Sequence, residues 1–286
     1  MTKQPIETQD KQQQKMEEEQ NQIRLRMSRI KHKILVLSGK GGVGKSTVAA
    51  NLAVSLSLAG KRVGLLDIDI HGPSIPKILN LEGKQLMSMA DAIMPVPVSE
   101  TLLVMSIGFM LRDKDDAVIW RGPMKYHMIK QFLKDVEWGQ LDYLVIDSPP
   151  GTGDEPLSII QLLEKPDGAV IVTTPQQVAI SDVRKGVSFC RSLNLPVFGV
   201  IENMSGFTCP QCGHITDIFK TGGGERMARE MGIPFLGKIP IDPQIVNACD
   251  SGHPYIQKYQ NSSVANSFNK AIKPILEIEN DSSGSM

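Results

Sequence analysis

Residues 39–47 read Gly-Lys-Gly-Gly-Val-Gly-Lys-Ser-Thr, and the apolar run Ile34–Leu37 leads directly into them. Gly39, four further residues, then Gly44, Lys45 and Ser46 occupy every fixed position of the phosphate-binding loop G-x-x-x-x-G-K-[ST]. This string constrains the fold because it works only between a strand and a helix. Gly39, Gly41, Gly42 and Gly44 let the backbone, with Val43, turn its N–H groups toward a phosphate. The helix that opens near Lys45 aims its positive end at the same anion. Lys45 is expected to reach the β- and γ-phosphates of ATP, and the Ser46 hydroxyl to bind Mg²⁺, with Thr47 closing the loop. A chance glycine-rich turn would lack the flanking strand and helix.

The rest of the chain repeats this alternation. Apolar, β-branched-rich runs stand at Ile34–Leu37, Val63–Leu66, Leu102–Val104, Tyr143–Ile146, Ala169–Val172, Val197–Ile201 and Phe235–Ile239. Most are apolar throughout, which suits parallel strands covered on both faces. Helical stretches such as Ser46–Leu58 and Val178–Leu193 lie between them. The expected fold is α/β, a doubly wound, mostly parallel sheet of about seven strands with its ligand at the strands' carboxyl ends. Residues 1–22 hold seven glutamines and almost nothing apolar, so they read as a disordered or frayed tail. Ile23, Met27 and Ile30 mark one face of a short helix before the first strand. Residues 23–278 read as one domain and 279–286 as a second tail.

Lys plus Arg balances Asp plus Glu at 31 each among 286 residues, so no overall field draws the chain to nucleic acid or an anionic membrane. No apolar run is long enough to span a bilayer, and the N-terminus lacks a secretion signal. A cytoplasmic location is the expectation, with neither nucleic acid nor membrane as partner.

Lys40 is not needed for the phosphate cradle. The full string GKGGVGKST resembles the deviant phosphate loop of the MinD/ParA superfamily, within the SIMIBI class of P-loop NTPases. That resemblance implies that Lys40 crosses a homodimer interface to phosphates held by the other subunit, supplying in trans the charge that an arginine finger supplies elsewhere. It also matches Asp69, in Asp67-Ile68-Asp69, to a switch aspartate that orients the attacking water. Asp67 points to the same face as Asp69, and the competing reading for it is a structural acid hydrogen-bonded near the loop. The strand Tyr143–Ile146 ends on Asp147, the form of an aspartate that holds Mg²⁺ directly or through water. Pro149-Pro150-Gly151 follows, with Gly151 placed to offer an N–H to the γ-phosphate. Asn203 stands after the strand Val197–Ile201. By resemblance its amide binds adenine; a turn asparagine is the competing reading.

Cys209-Pro210-Gln211-Cys212-Gly213 places two thiols at metal-binding spacing. A redox pair, a zinc knuckle and half of an iron–sulfur site all remain open on spacing alone. A cluster wants four thiolates, which a two-fold dimer supplies from two chains. The strings DIDIHGPSIP, IDSPPGTGD, ENMSGFTCPQCG and ACDSGHP, with the phosphate loop, resemble the Mrp/ApbC family of iron–sulfur cluster carrier ATPases from about Ile30 to Tyr255. That resemblance implies a labile cluster, [4Fe–4S] in type, bridging Cys209 and Cys212 of two subunits. It also implies cluster transfer to apo iron–sulfur proteins, scaffold proteins as partners, and a slow, dimer-dependent ATPase that controls exchange. Cys190 and Cys249 read as buried small residues, and Arg121 as an interface residue. The alternatives are a MinD/ParA-like positioning or partitioning ATPase and a zinc-stabilised ATPase.

Overall fold

The computed structural model describes residues 4–70, 72–89, 92–110, 122–163, 165–209 and 211–278, with side chains from Gln13 onward. Among these, eleven strands form. They are β1 (Ile30–Ser38), β2 (Val63–Asp67), β3 (Met87–Met89), β4 (Ala92–Met94), β5 (Val96–Pro97), β6 (Leu102–Ser106), β7 (Leu141–Asp147), β8 (Gly168–Thr173), β9 (Val197–Thr208), β10 (Ile215–Thr216) and β11 (Phe235–Ile241). Nine of them make one sheet in the order β10-β9-β8-β1-β7-β2-β6-β5, with β11 also paired to β9. All seven apolar runs noted in the sequence are strands of this sheet, and they pair parallel to one another. The additions are short antiparallel pieces, β5 and β10, and a separate hairpin of β3 with β4.

Neighbouring residues on a strand enter opposite cores. Ile34, Val36, Leu65 and Val145 face the helices Lys45–Leu58 and Ser263–Leu276. Leu35, Leu37, Leu66 and Ile146 face the helices Gly122–Asp135, Asp154–Leu163 and Gln177–Ser192. This two-sided burial is why the strands read as continuous apolar runs rather than alternating ones.

One expectation is corrected at the amino end. The chain is helical from Gln4 to Met27, where a tail was expected up to residue 22. Ile23 and Met27 are buried as their spacing implied. Glu19 also pairs with Lys130 at 2.6 Å, and the Gln20 amide donates to the Leu162 carbonyl at 3.4 Å. These polar ties to two other helices extend order into a segment with few apolar residues. The expected tail at 279–286 and Arg121 lie outside the described residues.

Candidate nucleotide and metal site

Four parallel strands deliver the site, each ending on a polar residue. Val36 of β1 is in register with Asp147, Asp147 with Asp67, and Asp67 with Ser106. β1 then turns at Ser38 into the phosphate loop. Gly42 and Gly44 take φ of 78° and 80°, values that L side chains resist. A Cβ on Gly44 would also lie 2.3 Å from Asn203 Nδ2, and one on Gly39 2.5 Å from the Asp182 carbonyl carbon. The helix Lys45–Leu58 starts at Gly44 with no side-chain cap, so its first-turn N–H groups are left to the cleft.

The cleft has a volume of about 250 Å³, and Lys40, Lys45, Ser46, Asp69 and Pro150 are among the residues that line it. At its base Lys45 Nζ lies 2.5 Å from Asp147 Oδ1, 3.5 Å from Asp69 Oδ2 and 3.4 Å from Ser46 Oγ. Asp147 Oδ2 and Asp69 Oδ1 are buried with no hydrogen-bond partner. Two orphaned carboxylate oxygens beside a hydroxyl are a hard, all-oxygen donor set, which fits Mg²⁺.

Asp67 is fully buried. Burial first, and then the neighbouring Asp147 charge, push its carboxyl up to about 8, against the opposing pull of the Ser106 hydroxyl, the Asp69 N–H and Lys45. Burial raises Asp147 as well, while Lys45 and the Ser46 hydroxyl oppose that rise. The reading of Asp67 as a structural acid matches its contacts. Its Oδ1 accepts the Asp69 N–H at 3.1 Å, and its Oδ2 accepts the Ser106 hydroxyl at 2.8 Å.

Two expected ligand contacts are engaged within the protein. The Gly151 N–H, expected at a γ-phosphate, donates to the Ser38 carbonyl at 2.8 Å. Asn203 Nδ2, expected at adenine, donates to the Val43 carbonyl at 2.9 Å, so this side chain buttresses the loop from beneath. The neighbouring Glu202 was not singled out in the sequence. Its carboxylate accepts the Ser205 hydroxyl and the N–H groups of Gly222 and Gly224, which pins β9 to the helix Gly223–Met231. The only signal for Glu202 or Ser106 was a polar residue at the end of an apolar strand.

The thiol pair stands apart from the cleft, in the turn just beyond the strand that carries Asn203. Asn203 lies within β9, and Cys209 follows its last residue, at most about 20 Å further along. Cys212 is exposed and Cys209 half-exposed. The backbone N–H groups of Cys212 and Gln211, with the Cys212 thiol, hold the Cys209 thiol below its usual range. The turn is closed by the Gly213 N–H on the Cys209 carbonyl and the Cys209 N–H on the His214 carbonyl, each at 2.9 Å. Among the described residues no group of three or more His, Cys, Asp or Glu could hold a metal ion, so a single chain offers two thiols. Cys190 is fully buried, as expected, and burial pushes its thiol up to about 11. Cys249 is only half-buried, with a hydrogen bond to the Thr47 side chain.

The chain is 52% identical over 255 residues to an iron–sulfur cluster carrier protein of Methanocaldococcus jannaschii, covering 89% of this chain and 87% of the relative. It is 55% identical over 241 residues to a cytosolic Fe-S cluster assembly factor NUBP2 homolog of Dictyostelium discoideum, covering 83% and 91%. Among solved structures, a nucleotide-binding protein of Archaeoglobus fulgidus in complex with ADP is 41% identical, with a TM-score of 0.74 over 82% of this chain and 92% of that one. The septum site-determining protein MinD of Pyrococcus horikoshii, at 24% identity and a TM-score of 0.64 over 88% and 98%, shares the fold. Residues 29–276 match the family model ParA, described as NUBPL iron-transfer P-loop NTPase, and the chain belongs to that family.

Proposed function

We propose that the protein is an iron–sulfur cluster carrier in which two copies hold one labile cluster between their Cys209 and Cys212 pairs. ATP bound at the phosphate loop controls its delivery to apo iron–sulfur proteins. The observation that carries this reading is the thiol pair itself. Two accessible sulfurs, one of them favoured as thiolate by backbone N–H groups, stand in the turn just beyond the strand whose Asn203 buttresses the phosphate loop. Half of a tetrathiolate site on each chain becomes whole across a two-fold axis. An exposed cluster held by two chains suits transfer better than storage. The family membership and the carrier named among the relatives support the same activity.

Nucleotide chemistry follows from the cleft. Lys45 and the loop N–H groups bind the phosphates, while Ser46 and Asp147 would hold Mg²⁺, which supplies positive charge to the phosphate oxygens. Asp69 orients the attacking water, and Lys40 of the partner subunit neutralises charge on the leaving oxygen. For Gly151 to reach a γ-phosphate its N–H must leave the Ser38 carbonyl, so nucleotide binding exchanges one hydrogen bond for another. Asn203 keeps a second N–H and an oxygen for adenine. Hydrolysis on this scheme is slow and depends on the dimer. Partners are apo iron–sulfur proteins and scaffold proteins in the cytoplasm.

A membrane-positioning role is not favoured. Phe268, Ala271, Ile272 and Ile275, the apolar face of the closing helix, are buried in the core rather than presented to a bilayer. Among the described residues no helix is long and apolar enough to cross a membrane.

The test is anaerobic reconstitution followed by iron and sulfide analysis, absorption spectroscopy and transfer to an apo [4Fe–4S] enzyme. The expected result is about four irons per dimer and regained activity in the acceptor, both lost when Cys209 and Cys212 are replaced by alanine. Retention of a full cluster by that variant, or zinc in place of iron in the anaerobically isolated protein, would overturn the proposal.

A further inference from the structure

Ser106 closes β6 behind the cleft and does not line it. Its hydroxyl donates to Asp67 Oδ2 at 2.8 Å and accepts the Gly108 N–H at 3.0 Å. Asp67 Oδ1 in turn accepts the Asp69 N–H at 3.1 Å. Ser106 and Asp67 are fully buried, so no water competes for these bonds. An unbroken string of hydrogen bonds therefore runs from the turn Ile107–Met110 to the backbone of Asp69. The Asp69 side chain has little anchorage of its own. Its Oδ2 lies 3.5 Å from Lys45, and its Oδ1 is buried without a partner. The direction of this carboxylate is thus set by its backbone. The same turn also supports the loop that follows Asp69, since a Cβ on Gly108 would come within 3.0 Å of Pro76 Cγ and 3.3 Å of Pro73 Cβ.

We propose that Ser106 is a positioning residue for nucleotide hydrolysis: it fixes the Asp67 carboxyl, and through it the backbone that holds Asp69 at the cleft wall. The inference rests on the reading of Asp69 as the residue that orients the attacking water. Positioning of this kind acts on turnover rather than on nucleotide affinity, because the Ser106 hydroxyl bonds to Asp67 and Gly108 and the residue does not line the cleft that takes the phosphates. Ser106 is polar because the buried Asp67 carboxyl needs a donor there.

The experiment measures kcat and KM for ATP hydrolysis in the full chain and in Ser106→Ala, Ser106→Thr, Asp69→Ala and the Ser106→Ala/Asp69→Ala double variant. Hydrogen exchange at the Asp69 amide is followed in parallel. Ser106→Ala is expected to lower kcat about tenfold with KM nearly unchanged, and to speed exchange at the Asp69 amide about tenfold. Ser106→Thr, which keeps the hydroxyl, restores both. In the Asp69→Ala background the Ser106→Ala change lowers kcat no further. A wild-type kcat in Ser106→Ala, an unchanged Asp69 exchange rate, or an equal fold-loss in both backgrounds would overturn the proposal. Full activity in Asp69→Ala would instead remove the reading of Asp69 on which it stands. Should Ser106→Ala fail to fold, Ser106→Cys, with the same shape and a weaker donor, takes its place with the same expected directions.

Discussion

Lys45 Nζ sits 2.5 Å from Asp147 Oδ1, with Asp147 fully buried and Lys45 nearly so at the base of the cleft. This pair joins the phosphate loop to the strand at the centre of the sheet, and it stands beside a second buried acid, Asp67. The loop lysine is therefore held by the protein's own carboxylates. Asp147 compensates a charge that would otherwise be buried alone, and its second oxygen remains open to a cation.

Removing Asp147 should accordingly cost stability as well as activity. Asp147→Ala leaves Lys45 with Asp69 Oδ2 at 3.5 Å as its remaining carboxylate. Chemical denaturation should show a loss of about 3 kcal/mol, the cost of stranding a buried charge, and ATP hydrolysis should fall by at least about 100-fold.

Asp67 makes the stability depend on pH in a defined direction. Its carboxyl is pushed up to about 8 in the folded protein, above its ordinary value of 3.8, so the folded state holds the proton more tightly. That contribution is complete below about pH 4 and is lost as pH rises through about 8. Asp67→Asn mimics the protonated form. Its stability relative to the parent should therefore rise between pH 5 and pH 8 by at least about 1 kcal/mol, as read by urea denaturation at both values. An unchanged difference would mean that Asp67 is ionised throughout.

Gly44 and Gly41 should respond differently to alanine. Gly44 has φ of 80°, and an added Cβ would meet Asn203 Nδ2 at 2.3 Å, whereas a Cβ on Gly41 meets no atom within 4 Å. Gly44→Ala should cost about 1 kcal/mol or more of folding stability, and Gly41→Ala less than about 0.5 kcal/mol. Thermal denaturation of the two variants checks this.

The cysteines should alkylate in order. Neighbouring N–H groups lower the Cys209 thiol, whereas burial raises Cys190 to about 11 and also raises Cys249. A lower value means a larger thiolate fraction at a given pH, and the thiolate is the nucleophile. With iodoacetamide at neutral pH, mass spectrometry should find Cys209 modified well before Cys249, and Cys190 last. Early labelling of Cys190 would contradict the geometry.

The fold was largely legible in the sequence because each central strand is buried on both faces. Runs such as Tyr143–Ile146 and Ala169–Val172 cannot be mistaken for surface helix. The two-residue strands β5 and β10 carry no such signal, since they are held only by the longer strands beside them. The helix at Gln4–Met27 was missed because its order comes from distant partners, Lys130 and Leu162, rather than from its own composition. The phosphate loop announced itself through local spacing. The bond between Ser106 and Asp67 did not, because strand register brings together residues 39 positions apart, and Glu202 did not, because Gly222 and Gly224, which it holds, lie 20 and 22 positions away.

The most direct test of the carrier proposal is native mass spectrometry of protein reconstituted and kept without air. The expected result is one species of two chains bearing a single [4Fe–4S] cluster, absent when Cys209 and Cys212 are replaced by alanine. Single chains carrying iron or zinc in full, with the same ATPase activity, would contradict it.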